Sequence, residues 1–382
     1  MMKILGIDAS NIRAGGGLTH LKEVLRNADP IKYNFEKVVI WSSEKTLSKI
    51  DDAEWLVKVT HPFLNKSFIW ALLFQIFVLK KSAKEFECSL LFVPGGTFLC
   101  GFRPFVTLSQ NMLPFELKEA FRFESVITRM RFLLLRMTQS LAFRRASGLI
   151  FLTQYAKNSI VKILSLKARN ITVIHHGIDH RFAGKPKAQY LASNYSLDNP
   201  YRLLYVSILT AYKHQWNVAE AVFKLSEDGF PIHLTLIGPK DSQGYAKLMK
   251  VFKRYPESSS AVSYLGEIDH DALPNYYKDA DAFVFASSCE NMPIILVEAM
   301  SAGLPIASSN MGPMPEILSA AGIYFNPESV DDIYETLKKL FVDDRLRDDI
   351  SNKSYSIATS YTWKNCADDS FSFLSKIANI KL

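Results

Sequence analysis

The sequence predicts an α/β protein made of two parallel-sheet domains. Short apolar runs bounded by turn residues alternate with longer stretches of helical periodicity, the pattern of strands joined by crossover helices. Runs such as LLYVSIL and AFVFA are apolar without alternation, as expected for strands covered on both faces. With 382 residues the chain is longer than a domain with a single hydrophobic core usually is, and its length suits two such domains.

We predict strands in both halves of the chain. In the first half they are Lys3–Asp8, Lys37–Trp41, Leu90–Val93, Phe105–Leu108, Gly148–Leu152 and Ile171–Ile174. In the second half they are Arg202–Ser207, His233–Ile237, Val262–Leu265, Ala282–Ala286, Ile306–Ser308 and Gly322–Phe325. Residues 185–199 are polar and have no clear period, so we place a linker there. The domains are therefore predicted at 1–184 and 200–362, followed by an amphipathic helix at 363–382 that can pack back on the N-terminal domain.

Composition excludes several classes of protein. Hydrophobic residues make up 48% and charged residues 22%, so the chain is not disordered. The cysteines Cys88, Cys100, Cys289 and Cys366 are scattered, which predicts a reducing compartment, no disulfide framework and no zinc site. A buried strand begins almost at residue 1, which is not the pattern of a signal peptide. We therefore expect a cytoplasmic protein.

A formal net charge of +7 favours an anionic partner. No recognition motif for nucleic acid is present, so we expect none as a partner. The stretch Phe121–Arg145 mixes bulky apolar residues with six arginines at helical spacing, and two interpretations stay open: a helix lying on an anionic membrane surface, or a core-facing helix with a solvated basic face. The apolar run Phe68–Leu79 is shorter than the roughly 20 residues that span a bilayer. We interpret it as a buried helix, with a membrane-facing surface helix as the alternative.

Glycines follow the first predicted strand. Gly15, Gly16 and Gly17 precede a helix expected to begin near Leu18 or Thr19. Such a turn lets backbone N–H groups approach a diphosphate, and the helix N-terminus favours negative charge. The spacing is neither GxGxxG nor a P-loop, so an ordinary strand-to-helix turn explains it equally well.

Chemistry-bearing side chains follow two predicted strands of the second half. Lys213 lies in a loop before a helix, where it can reach a phosphate, although an isolated loop lysine is usually solvated. Glu290 lies in a loop after a buried strand, and Glu298 lies eight residues later on a helix. Pro293 suits the first helical turn and Gly303 suits the position just after the helix. Glu298 inside an apolar helix needs hydrogen-bond donors, which a ribose diol supplies; the alternative is a solvated Glu298 and a capping Glu290.

The segment ENMPIILVEAMSAGLPI resembles the glutamate–seven–glutamate signature of family 4 glycosyltransferases, a retaining family with the GT-B fold. AGGGL resembles the family's donor-diphosphate loop, and HHGID (His175–Asp179) resembles the end of its first domain. YVSILTAYKHQ and YLGEIDHDALPNYYKDADAFVFAS resemble the stretches that open its second domain and lead into the glutamate motif. MPEIL and GIYFNPESVDDI resemble the family's segments on the C-terminal side of that motif. The resemblance covers nearly the whole chain, in order.

The resemblance implies two Rossmann-like domains that face each other across a cleft, with the acceptor in the first domain and the donor in the second. It implies that Glu298 binds the ribose and that Lys213 neutralises the diphosphate leaving group, with Glu290 beside the donor sugar. Lys213 and Glu290 are the expected catalytic residues. The remaining donor-binding residues that it implies are Gly16, Gly17, Asn291, Met292 and Ile294. It also implies no metal and no cofactor, since the nucleotide sugar is a substrate.

Three departures from the family pattern bear on these expectations. The family's G-R pair after the second domain's first strand is replaced by Ser207 and Ile208, which removes one phosphate contact. The chain has ENMP where the family often has EGFG, so Pro293 removes one backbone donor. A His-Asp pair of the family is replaced by Gln110 and Asn111, which we take as candidate acceptor-binding residues.

The function we expect is retaining transfer of mannose from GDP-mannose to a saccharide, or to a polyprenyl-diphosphate-linked saccharide, in surface-polysaccharide assembly. The arginine-rich helix motivates the lipid-linked acceptor and a peripheral position on the inner face of the cytoplasmic membrane. Alternatives are the same chemistry with a UDP-sugar donor, an epimerase or phosphorylase, and a non-catalytic binding protein of the same fold. A phosphorylase would need a pyridoxal-binding lysine segment, and no segment suggests one.

Overall fold

The computed structural model describes residues 2–167 and 170–380, and within them the strands form two parallel sheets. The first sheet has the spatial order β3-β2-β1-β4-β5-β6-β7 and the second β10-β9-β8-β11-β12-β13. The first sheet comprises β1 (Lys3–Asp8), β2 (Phe35–Trp41), β3 (Leu56–Val59), β4 (Cys88–Val93), β5 (Phe105–Leu108), β6 (Gly148–Phe151) and β7 (Ile171–Val173). The second comprises β8 (Tyr201–Val206), β9 (Ile232–Ile237), β10 (Val262–Gly266), β11 (Ala282–Phe285), β12 (Ile306–Ser309) and β13 (Ile323–Phe325).

Helices connect the strands in both halves of the chain. The helices before β8 are α1 (Gly15–Arg26), α2 (Glu44–Leu47), α3 (Phe68–Phe74), α4 (Lys80–Glu85), α5 (Leu117–Ala120), α6 (Val126–Arg145) and α7 (Gln154–Leu164). Those after β8 are α8 (Gln215–Glu227), α9 (Ser242–Arg254), α10 (Leu273–Asp279), α11 (Ile294–Ser301), α12 (Met314–Leu318), α13 (Val330–Val342), α14 (Asp344–Ala358) and α15 (Trp363–Ala378).

The predicted strands are all present, each within two residues of its predicted ends. The prediction missed β3, a four-residue edge strand whose residues are all half-buried. Its sequence, LVKV, is short and interrupted by Lys58, so it lacks the continuous apolar run of a strand covered on both faces. The order of elements confirms the predicted α/β fold with two parallel sheets.

The apolar run at 68–79 is helical but only partly buried. It forms α3, a π-helical turn (Gln75–Leu79) and then α4. Ala71 and Phe74 are buried, whereas Phe77 is 71% exposed and Ile69 67% exposed. The expected buried helix is therefore buried along one face only, because Ala71 and Phe74 are covered while Ile69 and Phe77 meet solvent.

The strand order places a topological switch point in each sheet, between β1 and β4 and between β8 and β11. At such a point the connections leave in opposite directions and open a crevice at the carboxyl ends of the strands. The glycines at 15–17 follow β1 in the first sheet. Lys213 follows β8 and Glu290 follows β11 in the second. The side chains singled out by the sequence therefore lie where an open parallel sheet binds ligands.

The chain divides into two compact units. The first contains Met1–Phe115, Met130–Gly177 and Thr362–Leu382, and the second contains Glu116–Arg129 and Ile178–Tyr361. The C-terminal helix α15 lies in the first unit, where it packs on α1 and β4. The second unit includes residues 185–199, where a linker was predicted, and also a segment from the first half of the chain, Glu116–Arg129, hereafter the 116–129 segment.

A buried arginine anchors the polar stretch that begins the second unit. Arg347 on α14 is fully buried, and its guanidinium donates to Leu340 O at 2.8 Å, to Phe341 O and to Tyr190 O. Its Nε donates to Gln189 Oε1 at 3.2 Å. Arg347 therefore ties the stretch 185–199 to α14 at two residues, through the backbone carbonyl of Tyr190 and the side chain of Gln189.

Replacing Arg347 by methionine is expected to lower the free energy of unfolding by about 2–4 kcal/mol, because several buried carbonyls lose their donor at once. Urea unfolding followed by circular dichroism measures the change. The matched control is Arg345→Met, an exposed position on the same helix. An equal loss in both variants would show that the guanidinium contacts of Arg347 carry no special weight.

Candidate functional site

Lys213 and Glu290 form an ion pair at the carboxyl edge of the second sheet. Lys213 Nζ donates to Glu290 Oε1, and the two side chains are only 6% and 14% exposed. A buried ammonium is expensive without a partner, and Glu290 is that partner in this state. The expectation that Lys213 would be an ordinary solvated loop lysine therefore does not hold, and the structure brings together the two residues implied to be catalytic.

Aromatic side chains hold Lys213 in place. Tyr205 of β8 is buried and its hydroxyl donates to Lys213 O at 2.5 Å while accepting from Ala286 N at 3.2 Å. Lys213 Nζ lies 5.0 Å from the ring centre of Phe285 and 5.2 Å from that of Tyr212, within cation–π range. One tyrosine hydroxyl thus joins the loop after β8 to the loop after β11.

Ser288 joins the same two loops a second time. Its backbone N donates to Tyr212 O at 2.9 Å, and its hydroxyl lies 2.9 Å from His214 Nε2. The hydroxyl also donates to the carboxylate of Glu119, which belongs to the 116–129 segment and is 5% exposed. Burial and nearby positive charges lower the pKa of His214 to about 3, so its ring is neutral at neutral pH. Ser288 therefore contacts Tyr212 and His214, the residues on either side of Lys213, as well as Glu119.

The 116–129 segment is held on the second unit by further polar contacts. Arg122 pairs with Glu119 at 2.7 Å and also contacts Glu328. Gln243 bridges the segment, because its Oε1 accepts from Glu124 N at 3.1 Å and its Nε2 donates to Arg122 O at 2.8 Å. The loops that carry Lys213 and Glu290 thus depend on a part of the chain that is distant in sequence, since the contact from Ser288 to Glu119 spans 169 residues.

Replacing Ser288 by alanine is expected to lower kcat about tenfold, because Lys213 and Glu290 lose a shared support while no charged group is removed. A loss of about 1–2 kcal/mol in stability should accompany it, since Glu119 loses a buried donor. Steady-state kinetics and urea unfolding measure the two effects. Ser288→Thr keeps the hydroxyl and should recover kcat more than stability; recovery of neither would mean that the hydroxyl has no positioning role.

Glu298 lies on α11 and is 5% exposed. Its Oε2 accepts from Tyr277 OH at 2.9 Å. Burial raises the pKa of Glu298 to about 7, with Asp179 also raising it, while Tyr277 and Arg181 oppose that shift. The alternative of a solvated Glu298 is therefore wrong. When ionised, this buried carboxyl can accept more hydrogen bonds than the one from Tyr277, as a diol-binding group requires.

The loop between Glu290 and α11 contains the other implied donor contacts. Asn291 and Met292 are buried, at 5% and 6% exposure, and Ile294 is the first helical residue. Pro293 is the N-cap residue of α11, one position earlier than predicted. Gly303 has φ +68° just after the helix, as predicted, and a Cβ there would come within 2.6 Å of Pro186 N.

The glycine loop and Gln110 meet in the first unit. Helix α1 begins at Gly15, three residues before the predicted start, so Gly16 and Gly17 lie in its first turn. A Cβ on Gly16 would meet no atom of the described residues within 4 Å, whereas one on Gly17 would lie 2.9 Å from Gln110 Oε1. Asn111 is engaged locally, since its Oδ1 accepts from Leu113 N at 3.0 Å. Of the two acceptor-side candidates, Gln110 is the one that reaches the glycine loop.

Sequence reasoning missed Tyr277, Ser288 and Glu119. Tyr277 lies in the segment YLGEIDHDALPNYYKDADAFVFAS, and the only signal in the sequence is that a buried tyrosine hydroxyl needs a hydrogen-bond partner. Ser288 and Glu119 carry no such signal, because their contact spans 169 residues. Only the folded chain shows that they support the site.

A cavity of about 780 Å³ lies within the second unit, between the 116–129 segment and α9. That volume is in the range of small-molecule sites. The lining includes Phe123, Glu124, Asp241, Lys247 and Lys250. None of the implied donor-binding residues lines it, so it is separate from the Lys213–Glu290 pair.

Across residues 2–167 and 170–380, no three His, Cys, Asp or Glu side chains gather where they could hold a metal ion. In the same part of the chain no helix is both long and apolar enough to cross a membrane.

Part of the chain is similar in sequence to known proteins. Residues 187–357 match the family described as Glycosyl transferases group 1. The O-antigen chain mannosyltransferase B of Escherichia coli is 32% identical over 105 residues, which is 28% of this chain and 28% of that protein. The serotype-specific mannosyltransferase WbdA of Escherichia coli is 22% identical over 235 residues, 59% of this chain and 28% of that protein. Both alignments thus span less than a third of the relative.

The fold comparison covers nearly the whole chain. Anabaena HepE, solved in complex with UDP, superposes with a TM-score of 0.71 at 18% identity, over 98% of this chain and 100% of that one. The two parallel sheets with their matching strand orders agree with that likeness. Residues 187–357 are therefore similar to the glycosyl transferases of group 1, and the chain has the GT-B fold.

Proposed function

We propose that this chain is an enzyme that transfers a sugar from a nucleotide-sugar donor to a saccharide acceptor, with retention of anomeric configuration. The observation that supports this most directly is the buried Lys213–Glu290 pair at the switch point of the second sheet. A buried cation at the carboxyl edge of such a sheet suits a diphosphate. Glu298, on the helix that follows Glu290 in the chain, suits the ribose of the same nucleotide.

Each residue has a distinct role in this proposal. Lys213 leaves Glu290 for the diphosphate and neutralises the charge that develops there as the sugar departs. Glu290 then accepts a hydrogen bond from a hydroxyl of the donor sugar, and backbone amides at 291, 292 and 294 contact the others. Gly16 and Gly17 present the first-turn N–H groups of α1, which also suit a diphosphate.

The reaction proceeds by displacement on one face of the sugar. The bond from the anomeric carbon to the diphosphate oxygen breaks, and the acceptor hydroxyl oxygen forms a new bond to that carbon on the same face. The departing phosphate oxygen takes the acceptor proton, so no general base is needed. Charge on the leaving group is carried by Lys213 and backbone amides, so we expect turnover without a metal ion.

For the donor we propose GDP-mannose, and for the acceptor a saccharide or a polyprenyl-diphosphate-linked saccharide. The relatives' names, two mannosyltransferases of E. coli, support mannose. The UDP bound to HepE supports the alternative of a UDP-sugar. Assembly of a surface polysaccharide is the process in which such an acceptor is extended.

A two-stage experiment tests the proposal. Thermal shift and calorimetry with UDP, GDP, ADP, TDP and CMP identify the base, and we expect one nucleoside diphosphate to stabilise the protein selectively. Release of that diphosphate from its sugar, in the presence of EDTA and of candidate acceptors, tests turnover without metal. The anomeric proton coupling of the product, by NMR, tests retention. Absence of any nucleotide effect would contradict the proposal and leave the non-catalytic binding protein.

A peripheral membrane position is supported by one face of α6. Its exposed apolar residues are 45–82% exposed and recur at helical spacing: Val126, Ile127, Met130, Leu134, Met137 and Leu141. Arg131 and Arg144 are exposed at positions that continue this stripe. Apolar side chains flanked by arginines suit the interface of an anionic bilayer. Of the two interpretations left open for this helix, the exposed apolar stripe favours a helix that lies on an anionic membrane surface.

We expect the double change Arg131→Glu and Arg144→Glu to reduce partition onto vesicles of phosphatidylglycerol and phosphatidylcholine by about tenfold or more, at about 1 kcal/mol per removed charge. Vesicle sedimentation measures the partition. These two arginines are preferable to Arg129 and Arg136, which donate to backbone carbonyls within the protein. Lys157→Glu together with Lys162→Glu, on α7, is the charge-matched control. Unchanged partition in the α6 variant would contradict a membrane-facing α6.

A further inference from the structure

A buried carboxylate lies at the carboxyl end of β1, and the proposed transfer reaction does not use it. Asp8 is fully buried; its Oδ1 accepts from Ser10 N at 3.1 Å and its Oδ2 accepts from Gln75 Nε2 at 2.6 Å. Burial raises the pKa of Asp8 to about 6, and the hydrogen bonds that oppose this shift come from Ser10 and Gln75, which are neutral. A buried carboxylate held by neutral donors is costly for the fold, so its presence requires an explanation.

Gln75 joins Asp8 to two loops of the first sheet. Its amide nitrogen also donates to Ser10 Oγ and to Thr97 O, each at 3.2 Å, and its Oε1 accepts from Leu99 N at 3.2 Å. Ser10 follows β1, whereas Thr97 and Leu99 follow β4. These two strands flank the switch point of the sheet, so one side chain fixes the spacing of the loops that border its crevice.

The helical run that carries Gln75 changes its geometry at that residue. Gln75 is the first residue of the π-helical turn Gln75–Leu79, which lies between α3 and α4, and it is 1% exposed. A π-helical turn inside an α-helical run is rare and occurs frequently at functional sites. The irregular turn and the buried carboxylate are thus two independent features that meet at one hydrogen bond.

The loop between β1 and α1 is also held by residues that follow β2. Ser42 Oγ donates to Ala9 O at 2.8 Å, and Thr46 Oγ1 donates to Ile12 O at 3.0 Å. The loop ends at Ala14, the N-cap residue of α1, whose side chain cannot cap the helix. The conformation of this loop therefore determines where the first-turn N–H groups of α1 lie.

We propose that Asp8 is a positioning residue: through Gln75 it holds the loop after β1, and with it the first turn of α1, in the arrangement that binds the diphosphate. The inference rests on the proposed function, which assigns the N–H groups at Gly16 and Gly17 to that diphosphate. Because Asp8 is fully buried, it acts through the loop and not by contact with substrate.

Asp8→Asn tests the proposal, because in either orientation of the new amide one of its N–H groups faces a donor, Ser10 N or Gln75 Nε2. We expect the affinity for GDP, or for UDP if the protein selects UDP, to fall about tenfold, the equivalent of about one hydrogen bond to a charged group. Calorimetry measures affinity and stoichiometry separately. A displaced first turn of α1 weakens the affinity at unchanged stoichiometry. A merely structural role lowers the stoichiometry through unfolded protein and leaves the affinity of the folded molecules unchanged.

The double variant Asp8→Asn with Gln75→Glu reverses the polarity of the hydrogen bond, since the amide then lies on β1 and the carboxylate on the π-helical turn. We expect it to bind the nucleoside diphosphate about threefold or more tightly than Asp8→Asn alone. No recovery would overturn the proposal, because the loss would then not arise from the bond between these two side chains. Gln75→Met removes the same bond without a change of charge, and it provides the test if Asp8→Asn does not fold.

Thr107→Val is the matched control. Its hydroxyl donates to Val93 O at 2.9 Å within the same sheet, so the change removes a buried hydrogen bond away from the loop after β1, and we expect wild-type affinity. An equal loss of affinity in this control would overturn the proposal. Wild-type affinity in both Asp8→Asn and Gln75→Met would also overturn it, and would leave the proposed function intact. Failure of the wild type to bind any nucleoside diphosphate would instead contradict the proposed function itself.

Discussion

Replacing Lys213 by methionine is expected to lower kcat by about 10²–10³-fold, the usual effect of removing one preorganised group that stabilises a leaving charge. The Tyr205 hydroxyl holds the backbone of Lys213 and the Phe285 ring lies beside its ammonium, so the ammonium has only to exchange Glu290 for the diphosphate when substrate binds. Such a group needs little reorganisation during the reaction. We therefore expect the change to lower kcat by a larger factor than it alters the affinity for the nucleotide.

The change also leaves Glu290 without its cation in a site where it is only 14% exposed. A loss of stability alone could then lower activity. The double variant Lys213→Met with Glu290→Gln removes both charges and should restore the unfolding midpoint while leaving kcat low. Lys253→Met, at an exposed position on α9, is the matched control and should behave as the wild type.

Steady-state release of nucleoside diphosphate, measured beside thermal unfolding, checks this result. Recovery of activity in the double variant would mean that Lys213 acts only through the fold. A fall in kcat of less than about threefold in the single variant would remove Lys213 from the chemistry and leave it as a partner that keeps Glu290 in place.

Much of the fold was accessible from the sequence because its signals are local. The buried strands of the second sheet, such as AFVF in β11, are short runs of apolar residues covered on both faces, and their ends are marked by turn residues. The loops after β8 and β11 are then the expected places for chemistry. The roles of Glu290 and Glu298 came from the resemblance to a family, since their spacing alone did not exclude a cap and a solvated helix residue.

The parts that were not predicted depend on contacts distant in sequence. Glu119 reads as an ordinary charged helix residue, yet it is buried against Ser288 in the second unit. Gln139 lies in an arginine-rich stretch that was considered only as a membrane or core helix, yet its amide faces Gly96. Nothing at these positions in the sequence indicates the contact, because the sheet and the path of the 116–129 segment bring the partners together.

Replacing Glu298 by alanine is expected to weaken binding of the nucleoside diphosphate by about 10²-fold. A carboxylate that accepts two ribose hydroxyls contributes about 1.5 kcal/mol or more per hydrogen bond, and about 3 kcal/mol corresponds to that factor. Calorimetry measures the affinity. The matched control is Glu227→Ala, an exposed glutamate at the end of α8. Equal affinities in the two variants would show that Glu298 does not contact the nucleotide.

The pH dependence of binding provides the sharper test of the same residue. Burial raises the pKa of Glu298 to about 7 in the free protein, so the carboxyl is mostly protonated at pH 6 and mostly ionised at pH 8. Ribose hydroxyls donate to the ionised form, so binding lowers this pKa and releases a proton. We therefore expect affinity to rise about tenfold between pH 6 and pH 8. In Glu298→Gln it should be independent of pH across that range.

Stability should change in the opposite direction. The pKa of Glu298 in the folded protein lies above its value of 4.5 in the unfolded chain, so the native state binds more protons between these values. Stability from this group is therefore complete below pH 4.5 and is lost as pH rises toward 7. Glu298→Gln should raise the unfolding midpoint at pH 8 while weakening nucleotide binding there. A carboxylate that serves to bind a ligand is expected to destabilise the free protein and to stabilise its complex with the nucleotide. A carboxylate with a structural role would stabilise the free protein and the complex alike.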